Sequence, residues 1–175
     1  MAARFPGHEL EVLQRAAWIR FAGVAAGIPA ELNSRLLAAH GLTQFEYLVL
    51  NHLNLRDDRA MPMTGLAMMM ASSLSRLSHV VTRLERDGRV TRSRSETDRR
   101  VQIVTLTDTG HEVFHGAAPA YFAAVRELFL DRLDRTDLAD LDRVMKKLIP
   151  GIDATGELAP LADRIGAGTP YPTGR

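Results

Sequence analysis

The chain has 175 residues, 46% apolar and 25% charged, which suits one globular domain with an extension and argues against disorder over most of its length. It has no cysteine, which excludes a disulfide framework, a thiolate metal site, a thiol nucleophile and a cysteine redox switch. Net charge is only +1, yet residues 76–100 hold eight arginines against four acids inside an otherwise neutral chain. A local basic window is the footprint of a nucleic-acid-binding face, and it equally suits a solvated charged surface. No apolar run approaches the ~20 residues of a membrane helix. The stretch MAARFPGHELEVLQR lacks a signal-peptide core, so a cytoplasmic protein without membrane contact is expected.

In chain order, residues 8–26 predict a helix, with Leu10, Leu13, Ala17, Phe21 and Val24 at helical spacing. Gly27 and Pro29 punctuate it, and Pro29 suits the first turn of a second helix that Gly41 ends. Thr43 and Glu46 form a capping box for the next helix, which runs to about Leu55. A polar turn over 56–60 precedes a short helix over Thr64–Met70, capped by Thr64. A longer helix spans Leu74–Asp87 and stops at Gly88. Residues 89–94 read as a weak strand. Arg100–Leu106 is the best strand in the chain, rich in β-branched residues. Thr107 or Thr109 caps a helix to about residue 132, which Pro119 should kink or split. Asp134 or Thr136 opens a last helix with Leu138, Leu141, Val144, Met145 and Leu148 on one face, and Pro150 and Gly151 end it. Residues 166–175 are rich in glycine and proline and read as disordered.

The fold class is therefore mainly α with a small β-ribbon. The expected division is dimerisation helices over 1–40, a winged helix-turn-helix lobe over 41–106, further dimerisation helices over 107–150 and an extension over 151–175. Within the lobe, residues 74–87 form the recognition helix and 89–106 the wing.

On the helix 74–87, Leu77, Val80, Val81 and Leu84 make one apolar stripe. Ser75, His79, Thr82 and Arg86 point the opposite way, with Arg76 and Arg83 on the flank. A helix entering a major groove needs short polar groups near its start and arginine for guanine or phosphate. Arg76 and His79 are thus candidates for base edges, and Ser73, Ser75, Ser78, Thr82 and Arg83 for phosphates or neighbouring contacts. An amphipathic helix with a solvated polar face has the same pattern. Between the strands, SRSETDRR makes a hairpin tip with Arg94, Arg99 and Arg100, suited to a narrow, electronegative minor groove. Asp98 is placed to hold Arg100, two residues on.

The run from Leu74 to Phe114 resembles the DNA-binding core of the MarR family, the multiple-antibiotic-resistance regulators. Three pieces carry the likeness: TRLERDG at 82–88, DRR at 98–100 and LTDTG at 106–110. LTQFEYLVLNHL at 42–53 resembles the family's second helix. The resemblance covers roughly residues 8–149. It implies a homodimer that straddles a pseudo-palindromic site on double-stranded DNA, with Asp98 and Arg100 in wing-tip roles. It also implies a cleft for a small-molecule effector that relieves repression. TGLAMMMA at 64–71 departs from the family by placing three methionines where polar residues are common.

Trp18, Phe21, His40, Phe45, Tyr47 and Phe114 fall on helices that would line such a cleft, and they equally suit a core. His111 to His115 spells HExxH, which on a helix sets two imidazoles on one face beside a carboxylate. A catalytic zinc needs a third protein ligand, and the positions where the extended motif would supply it hold Ala118 and Tyr121. A zinc-responsive regulator using His111 and His115, and an HExxH hydrolase, remain the alternatives. A third is a DNA-binding module that acts through protein partners. No phosphate loop or nucleophile–base pair is present, so neither a cofactor nor catalysis is expected.

Overall fold

A computed structural model describes residues 10–152, and the expected disorder of 166–175 lies outside that range. The chain opens with α1, Val12–His40, one helix of 29 residues and about 43 Å. The sequence predicts two helices here. The break is absent because Pro29 and Ala25, whose carbonyl the proline leaves without an amide partner, are both exposed and can be hydrated. Alanines at 25, 26 and 30 favour the helix, and buried Leu32 and Leu36 anchor its second half. Gly41, at φ 62°, ends it, with its N–H donating to Leu37 O (3.1 Å).

Helix α2, Gln44–Asn54, begins at the expected capping box. The Glu46 N–H donates to Thr43 Oγ1 (3.2 Å), and Glu46 Oε2 accepts from the Thr43 N–H (2.8 Å). Strand β1, Ala60–Pro62, follows at the end of the expected turn over 56–60, where the sequence suggested no strand. Helix α3 is Met63–Met69, one residue ahead of the expected start, with Pro62 rather than Thr64 at its N-cap. Helix α4 is Leu74–Arg86, capped by Ser73, whose Oγ accepts from the Arg76 N–H (3.3 Å). Leu77, Val81 and Leu84 bury its inner stripe.

Strands β2, Val90–Arg94, and β3, Gln102–Leu106, form the ribbon. The sheet has three antiparallel strands in the order β1-β3-β2, so the best strand of the sequence is the central one. Its register pairs Val90 with Leu106, Arg94 with Gln102, and Pro62 with Ile103. Pro62 is tolerated because β1 is an edge.

Helix α5, Asp108–Leu128, starts at Thr107, whose Oγ1 accepts from the Gly110 N–H (3.0 Å). Pro119 lies inside it without splitting it. Pro119 and His115, whose carbonyl it frees, are both exposed. A short turn, Leu130–Arg132, leads to α6, Arg135–Leu148, which Asp134 caps through the Thr136 and Asp137 amides. The core gathers Leu36, Leu42, Tyr47, Leu50, Leu53, Leu66, Leu77, Leu84, Val104 and Phe114 from α1 to α5 and β3. Helix α6 contributes no buried residue to it.

Candidate nucleic-acid interface

The local sequence positions α4 through its cap and its neighbours. Ser73, Ser75, Arg76, His79, Thr82 and Arg83 are exposed, and Ser78 is half-buried. Ser73 is committed to the cap. Two of the arginines are held by α2. The Arg76 guanidinium lies 4.7 Å from the centre of the Phe45 ring. The Arg83 Nε donates to Glu46 Oε1 (2.5 Å), and Glu46 is only 2% exposed. Glu85, on the same helix, accepts from Nε and Nη2 of Arg92 in β2, so α4 and the ribbon are tied at their base. Those hydrogen bonds hold the Glu85 carboxyl below its usual range.

The wing tip ties itself. The Ser95 N–H donates to Val101 O, and the Val101 N–H to Asp98 O, both at 2.9 Å. Asp98 Oδ1 accepts from Arg100, as the sequence suggests, but through the backbone amide (2.9 Å) rather than the guanidinium. Asp98 thus fixes the turn and leaves the Arg100 side chain to solvent. Between α3, α4 and the wing lies a groove of about 510 Å³. It brings Ser78 together with Arg94, Arg99 and Arg100, and it adds Thr64, Leu74 and Gln102, which sequence reasoning did not single out. Leu74 was hidden by its type, since a leucine opening an amphipathic helix reads as core. Here it is 50% exposed. The groove offers three cations, hydroxyl and amide donors and an apolar floor, a composition suited to a sugar–phosphate backbone.

The six aromatic and histidine candidates for a ligand cleft occupy separate places in the chain. Tyr47 and Phe114 stack in the core at 5.1 Å, and Tyr121 stacks on Tyr47 at 4.3 Å. Phe45 lies under Arg76, and His40 is exposed at the end of α1. Trp18 and Phe21, 6.1 Å apart, are exposed on the first half of α1. A cavity of about 190 Å³ between α1 and α5 includes none of the six. Arg35 and Glu127 on its wall form a bidentate pair (2.7 and 3.0 Å), which holds the Glu127 carboxyl below its usual range.

At the HExxH sequence, the His111 Nδ1–H donates to Asn54 Oδ1 (2.8 Å), joining α5 to α2. The ring of His115 packs edge-on against it at 4.2 Å. Burial, then the charge of Arg59 and the neighbouring His115, push the His111 pKa down, against Asp108 and Glu112. No cluster of three or more His, Cys, Asp or Glu that could hold a metal occurs among the described residues. The donor set therefore offers neither the zinc-responsive nor the hydrolase reading any support. None of the described helices is long and apolar enough to cross a membrane.

Comparison with known proteins fits this geometry. The family pattern described as the transcriptional regulator SarA/Rot matches residues 31–116. The chain is 24% identical over 123 residues to the transcriptional repressor MprA of Escherichia coli K12, covering 70% of this chain and 69% of that one. Two crystal structures of MarR family regulators from Streptomyces coelicolor are similar. Sco3205, solved in complex with DNA, shares 30% identity at a TM-score of 0.79, with 89% of this chain and 94% of that one covered. AbsC shares 33% identity at a TM-score of 0.77, with 86% and 98% covered. A winged helix with an exposed arginine face, matched along nearly the whole length of two such regulators, makes this chain a DNA-binding transcriptional regulator of the MarR family, not an enzyme.

Proposed function

We propose that the chain acts as a homodimeric repressor that binds a pseudo-palindromic operator and is released by a small apolar or aromatic ligand. The observation that carries the dimer is the apolar surface left open on α1: Val12, Leu13, Trp18 and Ile19 are 84%, 76%, 62% and 62% exposed. Val144 and Leu148 of α6 are exposed as well. Apolar surface of this extent marks an interaction site. It lies on elements other than α4 and the wing, so pairing through it leaves the DNA face free. In this reading, residues 1–40 and 107–150 dimerise, 41–106 bind DNA and 151–175 form an extension. Helix α4 enters a major groove with Arg76 and His79 on base edges. Ser73, Ser75, Ser78, Thr82 and Arg83 lie along the backbone. Arg94, Arg99 and Arg100 reach the adjacent minor groove or its phosphates, with Asp98 holding the wing tip.

A ligand between the dimer helices and the lobes relieves repression by favouring the state with the wrong spacing of recognition helices. Trp18, Phe21, His40, Phe45, Tyr47 and Phe114 are its proposed contacts, with the exposed members coming together across the dimer. The test is fluorescence anisotropy on duplexes tiled upstream of the protein's own gene, over a salt series with scrambled competitor. The expected outcome is tight binding to one tile, with a steep salt slope and a footprint of two half-sites one helical turn apart. Equal, weak binding to every tile, or a monomer by light scattering at the same concentration, overturns the reading.

A further inference from the structure

The contacts between α2 and α4 concern the arginines themselves. Arg83 is 45% exposed in its side chain, yet its Nε is anchored on a carboxylate that is 3% exposed. That carboxylate is itself fixed. Its other oxygen, Oε2, accepts from both the backbone N–H and the hydroxyl of Thr43, each at 2.8 Å. Neither terminal nitrogen of Arg83 has a hydrogen-bond partner among the described residues. One residue earlier, Phe45 carries the guanidinium of Arg76 on its face. Two adjacent residues of α2 thus seat two arginines seven positions apart on α4. A flexible arginine loses rotamer freedom when it grips a phosphate, and a seated one has lost it already.

We propose that Glu46 is a positioning residue for DNA binding: its buried carboxylate holds Arg83 by Nε and so presents both terminal amino groups to a backbone phosphate. This rests on the reading of Arg83 as a phosphate contact. It runs against simple electrostatics, because a carboxylate near DNA repels it. Removing that charge would by itself tighten binding. The sign of the change therefore separates the two roles.

The experiment uses the full chain and a fluorescein-labelled mixed-sequence duplex of about 30 base pairs at low salt, so it needs no operator. Arg83→Ala should weaken binding and reduce the salt slope by about one. Glu46→Gln keeps the shape of the cap and removes the charge. It should weaken binding by about threefold to tenfold, the freedom of one long side chain. Glu46→Leu, checked for folding by circular dichroism and urea, should weaken it at least as much. In the Arg83→Ala background neither change should weaken binding further. Unchanged or tighter binding in both Glu46 variants, with Arg83→Ala still weak, overturns the positioning role alone. Weakening that persists without Arg83 also overturns it, as a general effect on the lobe. If Arg83→Ala leaves affinity and slope unchanged, the phosphate contact falls, and the proposal with it.

Discussion

Ala71, in the turn between α3 and α4, has φ 44°, a left-handed conformation that costs an alanine about 1–2 kcal/mol. Glycine carries no such cost in the folded state but has more freedom to lose on folding. Ala71→Gly should therefore stabilise the protein by about 0.5–1 kcal/mol, read as a higher urea midpoint. A lower midpoint would show that the turn imposes no strain there. At the wing, Asp98 secures the Arg100 backbone and leaves its guanidinium unpaired among the described residues. Arg100→Ala should leave the urea midpoint unchanged, lower DNA affinity and take about one unit from the salt slope. Full affinity in that variant would remove the wing from the interface.

Between elements, the LTDTG motif has a physical explanation. A Cβ on Gly110 would lie 2.0 Å from Arg89 O, so the first turn of α5 can approach the start of the wing only through a glycine. Thr107 completes the junction, its Oγ1 donating to Gly88 O (2.7 Å) and capping α5. The end of α4 and the start of α5 are thus one joint. Gly110→Ala must push α5 away from backbone, which cannot yield like a side-chain tip. We expect a loss of about 3 kcal/mol in urea denaturation. A cost below about 1 kcal/mol would mean that the joint opens freely.

Across the whole molecule, acid should destabilise the fold in two stages. Burial lowers the pKa of His52 and is the main cause at His111, both from an ordinary value of 6.5. The unfolded chain then takes up these protons more readily than the folded one. Stability is fully present above about pH 7 and declines as pH falls through 6.5 toward the folded values. Glu85 and Glu127, lowered by Arg92 and Arg35, contribute stability present above their ordinary 4.5 and lost as pH falls below it. Urea midpoints at pH 7.5, 5.5 and 4 should show both steps, and His111→Gln should shrink the first. A first step of unchanged size in that variant would exclude His111 as a source.

The sequence by itself determined the features that rest on neighbours in the chain. The capping box at Thr43 and Glu46, the stripe of α4, the strand at 102–106, the glycine stop at Gly41 and the arginine-rich wing each depend on short-range spacing, and periodicity and cap chemistry reveal that directly. The tertiary structure decided the rest. Pro29 and Pro119 read as breaks, but whether a helix passes through a proline depends on whether the freed carbonyl reaches water and whether the far half is anchored. Strand β1 is three residues ending in proline, with no pattern of its own, and it exists only because β3 offers an edge. Glu46 was legible as a cap, but its hold on Arg83, 37 positions away, was not. The aromatic residues were legible as apolar, yet only packing sends Tyr47 and Phe114 to the core and leaves Trp18 and Phe21 outside. Spacing encodes what a segment becomes, whereas its partners are fixed by surfaces that meet only after the chain has folded.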